Sequence, residues 1–125
     1  MILDASALLA LLQNEPGAEK VASVIGQSKM SSVNWSEMIQ KLARHDSEAA
    51  TIRPDIEALG LIIIPFDAEQ AETTASLWSM AKLFGLSLAD RVCLQLGVSM
   101  DETVLTADTV WKKVEHANLR VELIR

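Results

Sequence analysis

Four acidic residues, Asp4, Glu37, Asp90 and Asp108, stand where an acid needs a reason. Asp4 falls in "MILDAS", between β-type residues and the apolar run "ASALLALL", and a carboxylate there is costly to bury unless it is hydrogen-bonded, paired or bound to a metal. Glu37 ends "SSVNWSE", Asp90 enters an apolar helix in "LSLADRVCL", and Asp108 follows a β-type run in "VLTAD". Helix capping explains any one of them, since Asp is a favoured N-cap and an anion near a helix N-terminus gains roughly 0.3–1 kcal/mol. Capping does not explain the set. Like charges brought together raise one another's pKa and destabilise a fold unless a cation sits among them. Oxygen ligands without accompanying His or Cys point to Mg²⁺ or Mn²⁺ and away from zinc.

The other reactive side chains read as background. His45 in "ARHDSE" and His116 in "KVEHAN" lie in charged runs and are expected in solvent. Cys93, in "VCLQL", is expected in the core. Most remaining acids, Glu102 among them, sit in polar surroundings and belong on the solvated surface.

What positions the four acids is a rhythm of short β-type runs followed by helical ones. "MIL", "KMSS", "LIIIPF" and "TVLT" each precede a helical run, and "VELI" ends the chain. This predicts βα units in a three-layer α/β/α sandwich around a mostly parallel sheet of about five strands. In such a sheet, strand C-termini and the helix starts that follow them share one edge, where ligands bind. All four acids fall on that edge, with Glu37 and Asp90 in first helical turns. Trp35, Met38, Ile39 and Leu42 recur at helical spacing, as do Ala71, Thr74, Ala75, Trp78 and Ala81, predicting two core-facing stripes. Asp67 with Gln70 and Ser87 with Asp90 have capping-box spacing. Pro54 should kink or split its helix, and Gly60 and Gly85 should stop theirs.

At 125 residues the chain is sized for a single domain, spanning 1–125. Its apolar runs, such as "LIII" at 61–64, fall far short of the roughly 20 residues that span a bilayer, so a soluble protein is expected. The start lacks the basic segment and cleavage site of a signal peptide, and a lone cysteine suits a reducing cytoplasm. A net charge of −6 argues against non-specific attraction to nucleic acid, so a polyanionic substrate would need a metal or a local basic patch.

"MILDASALLALL", "SSVNWSE", "GLSLADRVCLQL" and "VLTAD", in this order and with "ALGLIIIPFD" as a central strand, together resemble a PIN domain, specifically the VapC-type toxins of prokaryotic toxin–antitoxin pairs. The resemblance runs from one end of the chain to the other. It implies an endoribonuclease that cuts RNA with one or two divalent metals, Mg²⁺ or Mn²⁺. Asp4, Glu37, Asp90 and Asp108 would be the catalytic, metal-binding set. Asp4, Asp90 and Asp108 would be the principal ligands, while Glu37 completes the shell or orients or deprotonates the attacking water. Ser6, Asn34 and Thr106 occupy the small polar positions that support this set, although each hydroxyl could equally serve nearby backbone. Arg91, Lys112 and Lys113 are candidates for substrate phosphates, with solvated surface as the alternative. Trp35 is bulkier than expected beside Asn34. The resemblance also implies a homodimer and a cognate antitoxin that sets a basic side chain in the acidic pocket.

Two rival readings use the same acids. A phosphoryl-transfer domain of the receiver or haloacid-phosphatase type also gathers acids at a strand edge, but here Ser6 stands where a second Asp is needed and no lysine follows the last strand. A non-catalytic module could use the acidic pocket to hold a partner's arginines.

Overall fold

The computed structural model describes residues 1–125. Strands β1 (Ile2–Leu3), β2 (Lys29–Ser31), β3 (Ile62–Ile64), β4 (Val104–Thr106) and β5 (Val121–Leu123) form one sheet in the order β3-β2-β1-β4-β5. Each lies within one of the five β-type runs. Every neighbouring pair is parallel, so the sheet is wholly rather than mostly so.

Helices α1 (Ala5–Leu12), α2 (Ala18–Val24), α3 (Ser32–Leu42), α4 (Arg53–Ala58), α5 (Ala68–Ser76), α6 (Trp78–Ala81) and α7 (Leu88–Met100) cover the sheet. Side chains alternate between the faces of a strand, and two apolar cores result. Leu3 and Leu105 join Leu8, Val21, Met30, Met38 and Ile56 on one side. Ile2 and Val104 join Leu77, Cys93, Leu94, Leu96 and Trp111 on the other. This is the expected three-layer sandwich. Helix α7 lies close on the sheet because Gly97 has no side chain; a Cβ there would stand 2.3 Å from Val104 Cγ2. No helix is long and apolar enough to cross a membrane.

Local signals mostly act as expected. Ser87 and Asp90 form a complete capping box at the start of α7, and Asp67 accepts the Gln70 N–H at the start of α5. Pro54 splits its run into a 3-10 turn (Ala49–Thr51) and α4, and Gly60 and Gly85 both take positive φ. Met38 and Leu42 are buried, with Trp35 and Ile39 packed at the edge of the same core.

Two expectations fail. The second stripe is displaced: Thr74, Leu77 and Ala81 are buried, whereas Ala71, Ala75 and Trp78 face outward. The helix breaks at Leu77, which shifts the phase, and alanines fit either side of such a break. Trp78 is 54% exposed, with Lys82 Nζ 4.5 Å from its ring centroid. After β4 comes a 3-10 turn, Thr109–Lys113, in place of a full helix; it sets Trp111 into the core.

Candidate active site

The chain runs outward from β1 through β2 to β3, then returns to place β4 on the other side of β1. The C-terminal ends of β1 and β4 therefore flank the point where the strand order reverses, the usual ligand crevice of an open parallel sheet. Ile2 pairs with Val104 and Leu3 with Leu105, so the next residues, Asp4 and Thr106, lie side by side. Alternation turns both toward α7.

Asp4 is 5% exposed. Its Oδ2 accepts hydrogen bonds from Ser6 Oγ (2.6 Å) and Thr106 Oγ1 (2.9 Å). Each hydroxyl has one proton, so with both committed to Asp4 the 3.2 Å contact between the two hydroxyls carries none. Their lone pairs accept backbone N–H groups, Ala107 to Ser6 (2.9 Å) and Asp108 to Thr106 (3.1 Å). Ser6 and Thr106 thus serve carboxylate and backbone at once, tying the β4 end to the β1 end. Asp4 Oδ1 receives no protein donor.

Asp4 also decides the capping question. It stands at the N-cap of α1 with extended backbone (φ −74°, ψ 157°), yet its side chain makes no cap hydrogen bond. Asp90 and Asp108 do cap. Asp90 Oδ2 accepts the Ser87 N–H (2.9 Å), and Asp108 Oδ1 accepts the Val110 N–H (3.0 Å) ahead of the 3-10 turn. Glu37 lies in the second turn of α3, one turn later than its sequence position suggested. Its Oε1 accepts from Lys41 Nζ (2.7 Å), while Oε2 is buried without a partner.

The acids feel one another. Burial pushes the Asp4 carboxyl above its ordinary value of 3.8, the Ser6 and Thr106 bonds pull it down, and the charges of Asp90 and Glu37 add to the rise. Asp90 is likewise raised, by burial first and then by Glu37 and Asp108, against the opposing pull of its bonds with Ser87. Cys93 lies beneath them, wholly buried, and burial with the charges of Asp4, Asp90 and Glu37 pushes its thiol well above the usual range. It is an unreactive packing thiol.

The rim therefore brings Asp4, Glu37 and Asp90 within range of each other's charge, with Asp108 close to Asp90. It does not close them into a ligand cage as the side chains are turned, for no three acids are gathered around one point. Lys41, Ser87 and Val110 each hold one acid aside. The donor chemistry still suits a hard divalent cation. Asp4 Oδ1 and Glu37 Oε2 lack donors, and so does the buried Asn34 Oδ1, whose own Nδ2 donates to Ala89 O (2.9 Å) and links α3 to α7 just before Asp90.

The basic residues divide. Arg91 is half-buried, and its Nε has no partner. Lys112 Nζ donates to Val121 O (3.0 Å) at the start of β5, opposite the rim, and Lys113 is exposed. Both histidines are exposed. Glu102 is not the simple solvated surface that its sequence surroundings predict. It accepts from the Met1 ammonium (2.8 Å) and from Lys29 Nζ (2.5 Å) at the opposite end of the sheet. No local pattern signals it, because its partners are 101 and 73 residues away.

A family model described as the PIN domain matches residues 1–117. No curated protein matches the chain in sequence. Among solved structures, the fold is similar to that in VapBC2 from Rickettsia felis bound to a DNA fragment from its promoter, at 18% identity over 98% of this chain and 96% of that one, with a TM-score of 0.71. It is also similar to DNA-bound VapBC from Salmonella typhimurium (15% identity, 99% and 97% covered, TM-score 0.72). A toxin–antitoxin complex from Klebsiella pneumoniae is a third such structure (17% identity, 94% and 93% covered, TM-score 0.73). At these identities the likeness is one of fold. With the model spanning nearly the whole sequence and the acids set on the edge where β1 and β4 end, the chain belongs to the PIN-domain family.

Proposed function

We propose that the chain is the toxin of a toxin–antitoxin pair, a VapC-like cytoplasmic endoribonuclease that depends on Mg²⁺ or Mn²⁺. The observation that carries this reading is Asp4: a buried carboxylate at the sheet's switch point, held through one oxygen by Ser6 and Thr106, caps nothing and keeps its other oxygen without a donor. Similar folds in VapBC and toxin–antitoxin complexes support the toxin role.

Asp4, Asp90 and Asp108 would hold the cation, with Glu37 completing the set or accepting the proton of the attacking water. Bound there, a divalent ion supplies Lewis-acid charge for phosphodiester hydrolysis and offsets the repulsion between an acidic chain and a polyanion. The chain's own residues do the rest. Ser6 and Thr106 fix the Asp4 rotamer, Asn34 braces α3 against α7, and Arg91 or Lys113 meets a substrate phosphate. Lys112 can do so only by leaving Val121. An antitoxin would inhibit by placing an arginine or lysine among the acids, and the active form would be a homodimer.

The open arrangement of the acids favours a second reading, a pocket that binds a partner's arginines without catalysis. Incubating RNA with the purified chain, with Mg²⁺ or Mn²⁺ and with EDTA, separates the two. Cleavage that needs the metal is expected. Cutting undiminished in EDTA would defeat the metal-dependent mechanism, and no cutting under any metal would favour the binding pocket. Added antitoxin should suppress both cleavage and metal affinity; binding that leaves both unchanged would rule out direct blockade.

A further inference from the structure

The two edges of the sheet are finished differently. In a parallel strand the N–H and C=O of one residue point to the same neighbour, and those of the next residue point the other way. At the β5 edge, Val104 N–H donates to Arg120 O and Ile124 N–H to Thr106 O, so Val121 and Leu123 turn their backbone outward. Both outward carbonyls are capped: Lys112 Nζ donates to Val121 O (3.0 Å) and Lys20 Nζ to Leu123 O (2.8 Å). Lysines on an edge block the addition of a further strand. At the β3 edge, Ile62 N–H donates inward to Ser28 O (3.1 Å), which turns the N–H and C=O of Ile63 outward. No strand lies beyond β3, whose residues, Ile62, Ile63 and Ile64, include no charge or proline, and no side chain caps Ile63.

This open edge forms one wall of a groove of about 650 Å³. Leu61, Ile63 and Phe66 line the strand side, and Arg53 and Glu57 of α4, paired at 3.2 Å, line the other. The surface beside it is apolar, with Ile62 55% and Leu59 53% exposed. At the rim the groove ends by Ser32, whose Oγ accepts the Phe66 N–H (3.1 Å). Pairing must stop there, because Pro65 has no N–H and its carbonyl is taken by Gln70 Nε2 (3.0 Å). A free backbone donor and acceptor on a strand edge are matched by one kind of occupant, another extended strand. A second copy of this chain fits poorly. It brings another net charge of −6, and a two-fold at Ile63 would set Leu61 of one copy against Pro65 of the other, where the N–H is missing and the carbonyl engaged. A basic partner instead complements both the net charge and the acids of the rim.

We propose that β3 is the docking strand for an extended, basic segment of another protein, which adds a sixth strand beside Ile63 and runs parallel to β3 toward the rim. Its side chains alternate, apolar and branched, one face meeting Ile62 and the other entering the groove against Phe66 and the Arg53 and Glu57 stems. The added strand stands three strand spacings from β1, about 14 Å. About five extended residues cover that distance and bring an arginine or lysine of the segment to Glu37 and Asp90. Calling that protein the antitoxin rests on the toxin reading; the docking itself does not.

The test is a titration of the ¹⁵N-labelled full chain in EDTA at constant ionic strength, read at the Ile63 amide. Two synthetic peptides serve as probes: five residues alternating valine and threonine, a four-residue glycine–serine spacer, then arginine in one and glutamine in the other. A saturable shift and slowed hydrogen exchange of the Ile63 amide are expected with both. The arginine peptide should bind at least about tenfold tighter, and Asp90→Asn should shrink that advantage while leaving the glutamine peptide unaffected. Ile62→Lys, an exposed change that should leave folding intact, should weaken both peptides at least about tenfold. Ile63→Pro, which removes the donor, should do the same, whereas Ile63→Val, which keeps it, should bind as wild type does. The assignment is overturned by an Ile63 amide that shows no saturable shift, or by equal affinity in wild type and Ile62→Lys. A concentration-dependent Ile63 shift without peptide, lost in Ile62→Lys, would give the edge to a second copy and overturn it too. Equal affinity of the two peptides would overturn the reach to the rim. Cleavage of RNA is assayed separately, so an inactive chain would defeat the nuclease reading and leave the titration standing.

Discussion

The two ends of this sheet use acids in opposite ways. At the C-terminal rim, Asp4, Glu37 and Asp90 lie within range of one another's charge, no lysine or arginine is bound to Asp4 or Asp90, and burial and like charge hold both aspartates above their ordinary pKa. At the N-terminal end, Glu102 meets two cations. Burial there works to raise it, but the Lys29 and Met1 ammonium groups outweigh that and hold it below its ordinary value of 4.5. The same chemical group is therefore a source of strain at one end and of stability at the other. The difference lies in what surrounds it, and it teaches which acid serves the fold and which is kept at the fold's expense. Natural sequences break local consistency chiefly at functional sites.

Substitution at each end should separate activity from stability. Asp4→Asn should lower metal-dependent RNA cleavage at least about a hundredfold, the scale lost with one preorganised charge-stabilising group. Glu102→Gln should leave the rate per folded molecule unchanged. Initial rates, corrected for the folded fraction, check both, and equal losses would mean that the site has been misplaced.

Melting of the metal-free proteins should show the reverse order of importance. Glu102→Gln leaves the Met1 and Lys29 ammonium groups without their anion, at side-chain exposures of 21% and 30%, and should cost about 2 kcal/mol. Asp4→Asn keeps an oxygen for Ser6 and Thr106 while removing a buried like charge, and should stabilise by roughly 1 kcal/mol. A lower melting temperature for Asp4→Asn would show that its charge is compensated after all. Asp90 is a poorer probe, because it is both a rim acid and a cap, and the two effects oppose. Ser87→Ala isolates the cap and should cost about 1 kcal/mol.

How much of this was legible in the sequence follows from the range of the interactions. The strands, the parallel sheet and the capping box at Ser87 and Asp90 are written in local pattern, and the structure follows them. Burial of Asp4 was legible too, because apolar residues flank it on both sides. The handling of its charge was not. Ser6 is two residues away, but Thr106 is brought alongside only by the β1–β4 register. Glu102 was invisible for the same reason. The displaced stripe at Thr74, Leu77 and Ala81 failed differently: alanine-rich helices carry too little contrast to fix which side is inward.

The finest test of the comparison is the pH dependence of stability without metal. An acid whose pKa is raised on folding binds its proton more tightly in the native state, so stability falls as pH rises from the unfolded value up to the folded one. For Asp4 and Asp90 that window opens at 3.8 and extends upward, and the penalty is fully present above it. Glu102 has the opposite sign. Its stabilisation is fully present above 4.5 and is lost as pH falls through its lowered folded value. Above 4.5 only the rim acts, and below 3.8 only Glu102 acts, so their joint contribution peaks between those values. Titrating groups far from the substituted residue cancel in the difference between wild type and a variant; Asp90 and Glu37 are near Asp4, and their repulsion with it is part of what Asp4→Asn removes. The advantage of Asp4→Asn over wild type should therefore be greatest at neutral pH and shrink toward pH 4. The deficit of Glu102→Gln should be constant near neutrality and shrink only below 4.5. Denaturant melts at half-unit steps from pH 3 to pH 7 would read both differences. If the Asp4→Asn difference were flat across the range, the rim would carry no net electrostatic strain, and the contrast between the two ends would reduce to the ion pairs at Glu102 alone.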